Sequence, residues 1–264
     1  MKTTMETQSG TGAAADPSRP GMRALVTRPR EEAALLAEAL AARGIAAIIE
    51  PLLDIRYCDP GSPPELDGVQ AVLCTSANGV RALARLTPER AVPLFAVGDA
   101  TAARARAEGF ADVHSAGGAA GELVELASRY LRPGAGRLLH VAGSTVAGDL
   151  AGALRGRGFA VGRLVLYEAR PVGALSTATV RALAAGTVDV ALFFSPRTAA
   201  IFVRLAAQAG IADALRHVAA ISISAAADAA LDPLRFRERL VAERPDQPAL
   251  LAALDRFVGE RHRA

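Results

Sequence analysis

From Met22 onward, short apolar runs alternate with longer stretches in which leucine and alanine recur every three or four positions. The first pattern suits buried strands and the second amphipathic helices, so the chain reads βαβα, the rhythm of parallel sheets covered by helices. The opening unit predicts a strand over residues 23–26, a turn at Thr27-Arg28-Pro29, and a helix with Leu36 and Leu40 on one face. It stops at Arg43-Gly44 ahead of a strand over 45–49, glycine suiting the position just past a helix because it adopts left-handed backbone freely. The same syntax returns with a strand over 138–141, a turn at Ala142-Gly143-Ser144-Thr145, a helix carrying Leu150 and Leu154, a stop at Arg157-Gly158 and a strand over 159–166. Gly158 follows Gly44 by 114 residues.

A second kind of unit starts with a strand over 71–74, turns at Thr75-Ser76-Ala77-Asn78-Gly79 and runs a helix through Leu83 and Leu86. A strand over 94–97, a turn at Gly98-Asp99-Ala100-Thr101 and a helix ending near Gly109 complete it. Its echo is a strand over 190–194, Ser195-Pro196-Arg197-Thr198, a helix over 201–209 closed by Gly210, a strand over 218–221, then Ser222-Ile223-Ser224-Ala225 and another helix. Ser195 follows Ser76 by 119 residues, close to the first offset, and an internal duplication is the reading. The fold class predicted is α/β: two doubly wound parallel-sheet domains of similar topology, joined by a two-stranded hinge, with a ligand cleft between them. Residues 22–54 plus 171–264 would form the first, discontinuous domain and 55–170 the second, the chain crossing at 52–59 and 167–172.

Composition narrows the chemistry. The 264 residues are 51% hydrophobic, 22% charged and 4% aromatic, a globular balance. Lys2 is the one lysine among 30 Lys+Arg, leaving 29 arginines. Schiff-base chemistry needs a buried amine and a Walker-type loop needs its lysine on the phosphates, so both are excluded. Cys58 and Cys74 form neither a CxxC motif nor a disulfide framework, which points to a reducing compartment, the cytoplasm. His114, His140, His217 and His262 show no ligand spacing, and no metal is expected. His140, inside a strand, reads as a core histidine with a backbone partner. A formal charge of +3 with acidic residues interleaved among the arginines argues against a nucleic-acid partner. No apolar run reaches the roughly 18–20 residues of a membrane span. Residues 1–21 are small, polar and aperiodic, so a disordered tail is expected, with Met22 able to serve as a translation start.

Four strand-to-helix turns, at 75–79, 98–101, 195–198 and 222–225, would share one edge of the two sheets. Their hydroxyls cap helices, Pro196 suits a first helical position, and Asp99 reads as a cap. Together the free N–H groups and positive dipole ends would suit a ligand with many carboxylates or phosphates. Arg28 and Arg197 adjoin these turns, and Tyr167 falls at the second crossing, where a plain core tyrosine is the alternative.

With that interleaved order, Val26-Thr27-Arg28-Pro29, Thr75-Ser76-Ala77-Asn78-Gly79-Val80, Val97-Gly98-Asp99-Ala100-Thr101-Ala102, Tyr167-Glu168-Ala169 and Phe193-Phe194-Ser195-Pro196 resemble the uroporphyrinogen-III synthase family, from Met22 to the end. The resemblance implies a monomeric enzyme of tetrapyrrole and haem biosynthesis. It would close hydroxymethylbilane into uroporphyrinogen III with inversion of ring D and loss of water, using neither cofactor nor metal. The mechanism drawn for the family passes through an azafulvenium cation and a spiro intermediate. Tyr167 is then the candidate to assist departure of the hydroxyl. Arg28, Thr75, Ser76, Asn78, Gly98, Thr101, Ser195, Arg197, Ser222 and Ser224 are the candidates to hold the four acetate and four propionate arms. Two departures stand out: Ala225 occupies the place of a family threonine, and Ala142-Gly143-Ser144-Thr145 lacks the arginine that relatives often carry after the glycine. A noncatalytic two-domain binding protein or sensor for a polyanionic metabolite remains the alternative. A nucleotide-binding oxidoreductase lacks support, because no GxGxxG follows a strand.

Overall fold

The computed structural model describes residues 21–145 and 148–261, so the expected tail lies outside the described residues apart from Gly21. In chain order the elements are β1 (Arg23–Val26), α1 (Arg30–Ala41), β2 (Ala46–Ile49), β3 (Leu53–Tyr57), β4 (Val69–Cys74), α2 (Ala77–Leu86) and β5 (Leu94–Ala96). There follow α3 (Asp99–Ala107), β6 (Val113–Ser115), α4 (Ala120–Tyr130), β7 (Arg137–Gly143), α5 (Leu150–Arg155), β8 (Val161–Pro171) and α6 (Thr177–Ala184). The chain closes with β9 (Val190–Phe193), α7 (Pro196–Gln208), a 3-10 helix (Ala212–His217), β10 (Ala219–Ser222), α8 (Ala225–Ala229), β11 (Glu238–Val241) and α9 (Gln247–Arg261).

Two parallel-dominated sheets result. The five-stranded sheet runs β11-β10-β9-β1-β2 with every pairing parallel. The six-stranded sheet runs β3-β8-β7-β4-β5-β6 and is parallel except for β3, which lies antiparallel to β8. Laid side by side, β2 corresponds to β8, β1 to β7, β9 to β4, β10 to β5 and β11 to β6. The five-stranded sheet is thus wound 2-1-3-4-5, the corresponding strands of the six-stranded sheet follow a circular permutation of it, 5-4-1-2-3, and the glycine spacing of the sequence mirrors a repeated topology.

Alternation within the strands explains why both faces are covered. In β1, Leu25 joins Phe193 and Phe202 on one face, while Ala24 and Val26 meet Leu36, Leu40 and Leu254 on the other. In β4, Val72 and Cys74 face Leu83 and Ala102, while Ala71 and Leu73 face Leu123 and Leu154. Strands buried on both faces read as unbroken apolar runs, which is why they stand out in the sequence. The edge strands β6 and β11 do not: Val113-His114-Ser115 and Glu238-Arg239-Leu240-Val241 are short, at least half polar and without a fully buried residue, and the sequence pattern passes over both. It also passes over α4, α6, α9 and the 3-10 helix.

The two sheets are joined by a ribbon. Its ladder pairs Leu53 with Pro171, Asp54 with Arg170, Ile55 with Ala169, Arg56 with Glu168 and Tyr57 with Tyr167. Both roots on the five-stranded side are held by one carboxylate. Glu50, 5% exposed just after β2, accepts from the Ser176 amide at 2.9 Å and from the Ser176 and Thr179 hydroxyls at 2.5 Å each. Ser176 caps α6, so the strand leaving the sheet and the segment returning to it are tied at one point.

His140 departs from expectation. It lies in β7 between Leu73 and Arg163, only 3% exposed, and neither ring nitrogen has a hydrogen-bond partner among the described residues, backbone or otherwise. Burial, reinforced by the Arg163 charge, pushes its pKa below 6.5.

Removing the carboxylate of Glu50 strips the acceptor from three donors, the buried Thr179 hydroxyl among them, so Glu50→Ala should cost about 1–3 kcal/mol in a denaturant titration, and Glu50→Gln less. The depressed histidine carries a pH signature: below pH 6.5 the unfolded chain binds a proton that the folded chain resists, so stability is full above 6.5 and falls as pH drops through it. The loss should be at most about 1.4 kcal/mol per pH unit from this group. His140→Leu should flatten that part of the profile and raise the neutral-pH midpoint.

Candidate functional site

In a 2-1-3-4-5 sheet the winding reverses between strands 1 and 3, in its 5-4-1-2-3 permutation between strands 4 and 1, and the connections leave toward opposite faces, opening a crevice at the carboxyl ends. For the six-stranded sheet that crevice lies between Gly143, ending β7, and Thr75-Ser76 after β4. For the five-stranded sheet it lies between Thr27-Arg28 after β1 and Phe194-Ser195 after β9. Thr27 stitches this second crevice at its base, its hydroxyl donating to the Leu192 carbonyl at 2.7 Å.

Tyr167 fills the first crevice. Its hydroxyl lies 2.7 Å from Ser76 Oγ, and its backbone carbonyl accepts from the Ser144 amide at 2.9 Å. Ser76 is the N-cap of α2 and accepts from the Gly79 amide at 3.3 Å, so one hydroxyl both ends the helix and touches the phenol. Tyr167 is 9% exposed, and burial pushes its pKa up; the Ser76 bond opposes this, the Cys74 and Glu32 charges add to it, and the Gly143 backbone again opposes it. The phenol therefore keeps its proton at neutral pH. Cys74, fully buried at the end of β4, has its thiol pushed up to about 12 and is no nucleophile.

The other candidates are placed less uniformly. Thr75 is half-buried, while Asn78, in the first turn of α2, is buried and accepts from Arg81 through Oδ1 at 2.9 Å. Gly98 is the N-cap of α3 and Thr101 is buried in its first turn. Asp99 is not the cap; its carboxylate accepts from the Ser115 hydroxyl at 2.7 Å. Ser195 caps α7, accepting from the Thr198 amide at 3.1 Å, with Pro196 at the first helical position. Arg28 sits over the Phe194 ring at 4.5 Å and is held by Glu32 and Gln247, so its charge is already paired. Arg197 is exposed but donates to the Ala169 carbonyl at 2.7 Å, linking α7 to the ribbon.

The last turn needs correction. Ser222 belongs to β10, fully buried with its hydroxyl unpartnered among the described residues, and does not stand in a turn. The N-cap is Ser224, which accepts from the Ala227 amide at 3.3 Å. Ser224 thus corresponds to Gly98, and Ala227, rather than Ala225, stands where α3 has Thr101. At five residues α8 carries little dipole, leaving α2, α3 and α7 as the substantial N-termini at the carboxyl edges.

A recess of about 690 Å³ lies beside the ribbon, against the start of α1 and the end of β2. Arg30, Arg56 and Arg170 line it together with Glu31, Glu50 and Asp54, so it has no dominant sign, and none of the candidate residues borders it. Among the described residues no cluster of three or more His, Cys, Asp or Glu is arranged to hold a metal ion, and no helix is long and apolar enough to cross a membrane.

Comparison with known proteins adds a direct result. A family model described as uroporphyrinogen-III synthase HemD matches residues 34–252. No curated protein matches the chain. Among solved structures, a mutant uroporphyrinogen III synthase from the extremely thermophilic bacterium Thermus thermophilus is 20% identical, over 90% of this chain and 99% of that one, with a TM-score of 0.53. A uroporphyrinogen-III synthetase from Helicobacter pylori is 16% identical, over 89% of this chain and 99% of that one, with a TM-score of 0.59. At these identities the structural likeness establishes the shared fold.

Ser76 and Ser195 allow the cap to be separated from the phenol contact. Ser76→Ala and Ser195→Ala should each cost about 1 kcal/mol through the lost cap. Only Ser76→Ala should also move the Tyr167 titration, and upward, because the bond it removes favours the phenolate; ultraviolet absorbance against pH reads the shift.

Proposed function

The chain belongs to the uroporphyrinogen-III synthase family, cofactor-independent cyclising lyases of haem biosynthesis, and on that premise we propose which of its own residues carry the reaction. The reaction closes hydroxymethylbilane to uroporphyrinogen III with inversion of ring D and loss of water. Tyr167 is the proposed general acid, and the observation that carries the assignment is the place of its phenol at the first crevice, 2.7 Å from Ser76 Oγ.

Departure of the substrate hydroxyl needs a proton, and the Tyr167 hydroxyl donates it as the carbon–oxygen bond breaks, releasing water and leaving an azafulvenium cation. Ser76 Oγ and the Gly143 backbone stabilise the phenolate that forms. Ring D attacks through its substituted carbon, the spiro intermediate cleaves and recloses, and the proton lost from the pyrrole carbon at closure returns to the phenolate. Holding the two chain ends for the spiro route is the larger task, since the free bilane closes to the unrearranged isomer.

The acid arms are proposed to meet backbone N–H groups and hydroxyls at the starts of α2, α3 and α7, through Thr75, Ser76, Gly98 and Ser195, with Ser224 contributing its cap. Asn78, Thr101 and Ser222 are buried and support those turns from beneath. Arg28 and Arg197, already partnered, order the edges rather than grip the substrate. Residues 22–54 plus 171–264 and residues 55–170 are the proposed rigid units on either side of the ribbon. A monomer is supported by the covering of both faces of both sheets by helices of the same chain, and the cytoplasm by two free cysteines.

A coupled assay tests this reading: with porphobilinogen and its deaminase supplied, the oxidised product should be isomer III, and isomer I alone would overturn it. Tyr167→Phe should lower kcat by about tenfold or more while still giving isomer III. Unchanged kinetics would remove Tyr167 from the chemistry.

A further inference from the structure

We propose that Gly143 is a positioning residue for Tyr167, acting together with a bulge in β8 at Leu166; the inference rests on the general-acid role given to Tyr167. The β7–β8 ladder pairs Ala142 with Val165 but Gly143 with Tyr167, so β8 spends one extra residue there. In a regular strand Tyr167 would share a face with Val165, which is 37% exposed. The extra residue turns it instead to the side of Leu166, which is fully buried in the cluster beneath α2. Re-aiming a side chain is what bulges do beside active sites.

Turned this way, the ring passes directly over the end of β7, and only a residue without a side chain leaves it room. A Cβ on Gly143 would stand 2.9 Å from two ring carbons of Tyr167 and 3.2 Å from its hydroxyl. On the opposite side a Cβ on Gly79 would stand 3.8 Å from the ring, an ordinary contact. The β7 end is tethered in place, Arg163 donating to the carbonyls of Gly143 at 2.9 Å and Ser144 at 3.1 Å. A methyl group at position 143 must therefore displace the ring by about half an ångström, enough to spoil the alignment of its 2.7 Å contact with Ser76. Misplacement on this scale costs rate more than binding.

The test is a double-mutant cycle. Gly143→Ala should lower kcat about tenfold with KM within about twofold. In the Tyr167→Phe background the same change should cost nothing further, since there is no longer a hydroxyl to misplace. Gly121→Ala, where a methyl meets open space, controls for the substitution itself and should leave both parameters unchanged. Loss of the same factor from Tyr167→Phe as from the parent, or full activity in Gly143→Ala, would overturn the positioning role while leaving Tyr167 as the acid. An inert Tyr167→Phe would instead defeat the underlying assignment. Should Gly143→Ala fail to fold, Ser144→Pro serves in its place: it deletes the amide that holds the Tyr167 carbonyl, and it should show the same non-additivity with Tyr167→Phe. Additive losses there would equally overturn the proposal.

Discussion

The antiparallel pairing of β3 with the second half of β8 is the constraint on which the molecule depends. Among the described residues it is the one antiparallel ladder in either sheet, and it makes a nested chain order workable: one strand leaves the five-stranded sheet, a whole second sheet is built, and one strand returns. Because β3 starts just beyond the carboxyl end of β2, and the ribbon half of β8 continues past its parallel half, both sheets present their carboxyl edges toward the ribbon. Tyr167 is the rung where parallel pairing with β7 ends and antiparallel pairing with β3 reaches its limit. The catalytic assignment and the joint between the sheets thus share a residue.

Buried polar groups near that joint divide into satisfied and unsatisfied ones, and the division is informative. Glu50 and Tyr167 are both buried, and both have partners that define their geometry. His140 and Ser222 are buried without partners among the described residues, and each costs stability in the folded state. The first pair stands at the roots of the ribbon, where position matters to the cleft. The second pair lies inside the sheets, one in β7 and one at the end of β10.

Arginine abundance also acquires a plain structural meaning. Arg90 donates to the carbonyls of Ala84, Thr87, Glu89 and Glu108 and covers Phe110; Arg163 pins the end of β7; Arg239 binds Asp228 and Asp232. A planar fork with five donors suits this work of closing helix ends and turns. Arg28 and Arg197, the two arginines among the proposed site residues, are partnered in the same manner.

The sequence by itself determined the strands buried on both faces, the glycine stops and the serine caps, because each depends on a local period or on a single backbone conformation. Those were enough to read two repeated units, the crossings near 52–59 and 167–172, and Ser76 and Ser195 at the helix starts. Polar edge strands such as Glu238–Val241 escaped because exposure erases the apolar signal, and the cap at Ser224 was misplaced by two residues because Ser222 and Ser224 are equally good capping residue types. Only the tertiary structure decided that Glu50 would tie both ribbon roots, that His140 would lie without a partner, and that a bulge would swing Tyr167 between Ser76 and Gly143. Those are contacts between residues tens of positions apart, set by strand register, and register is a property of the folded pair that neither strand carries alone.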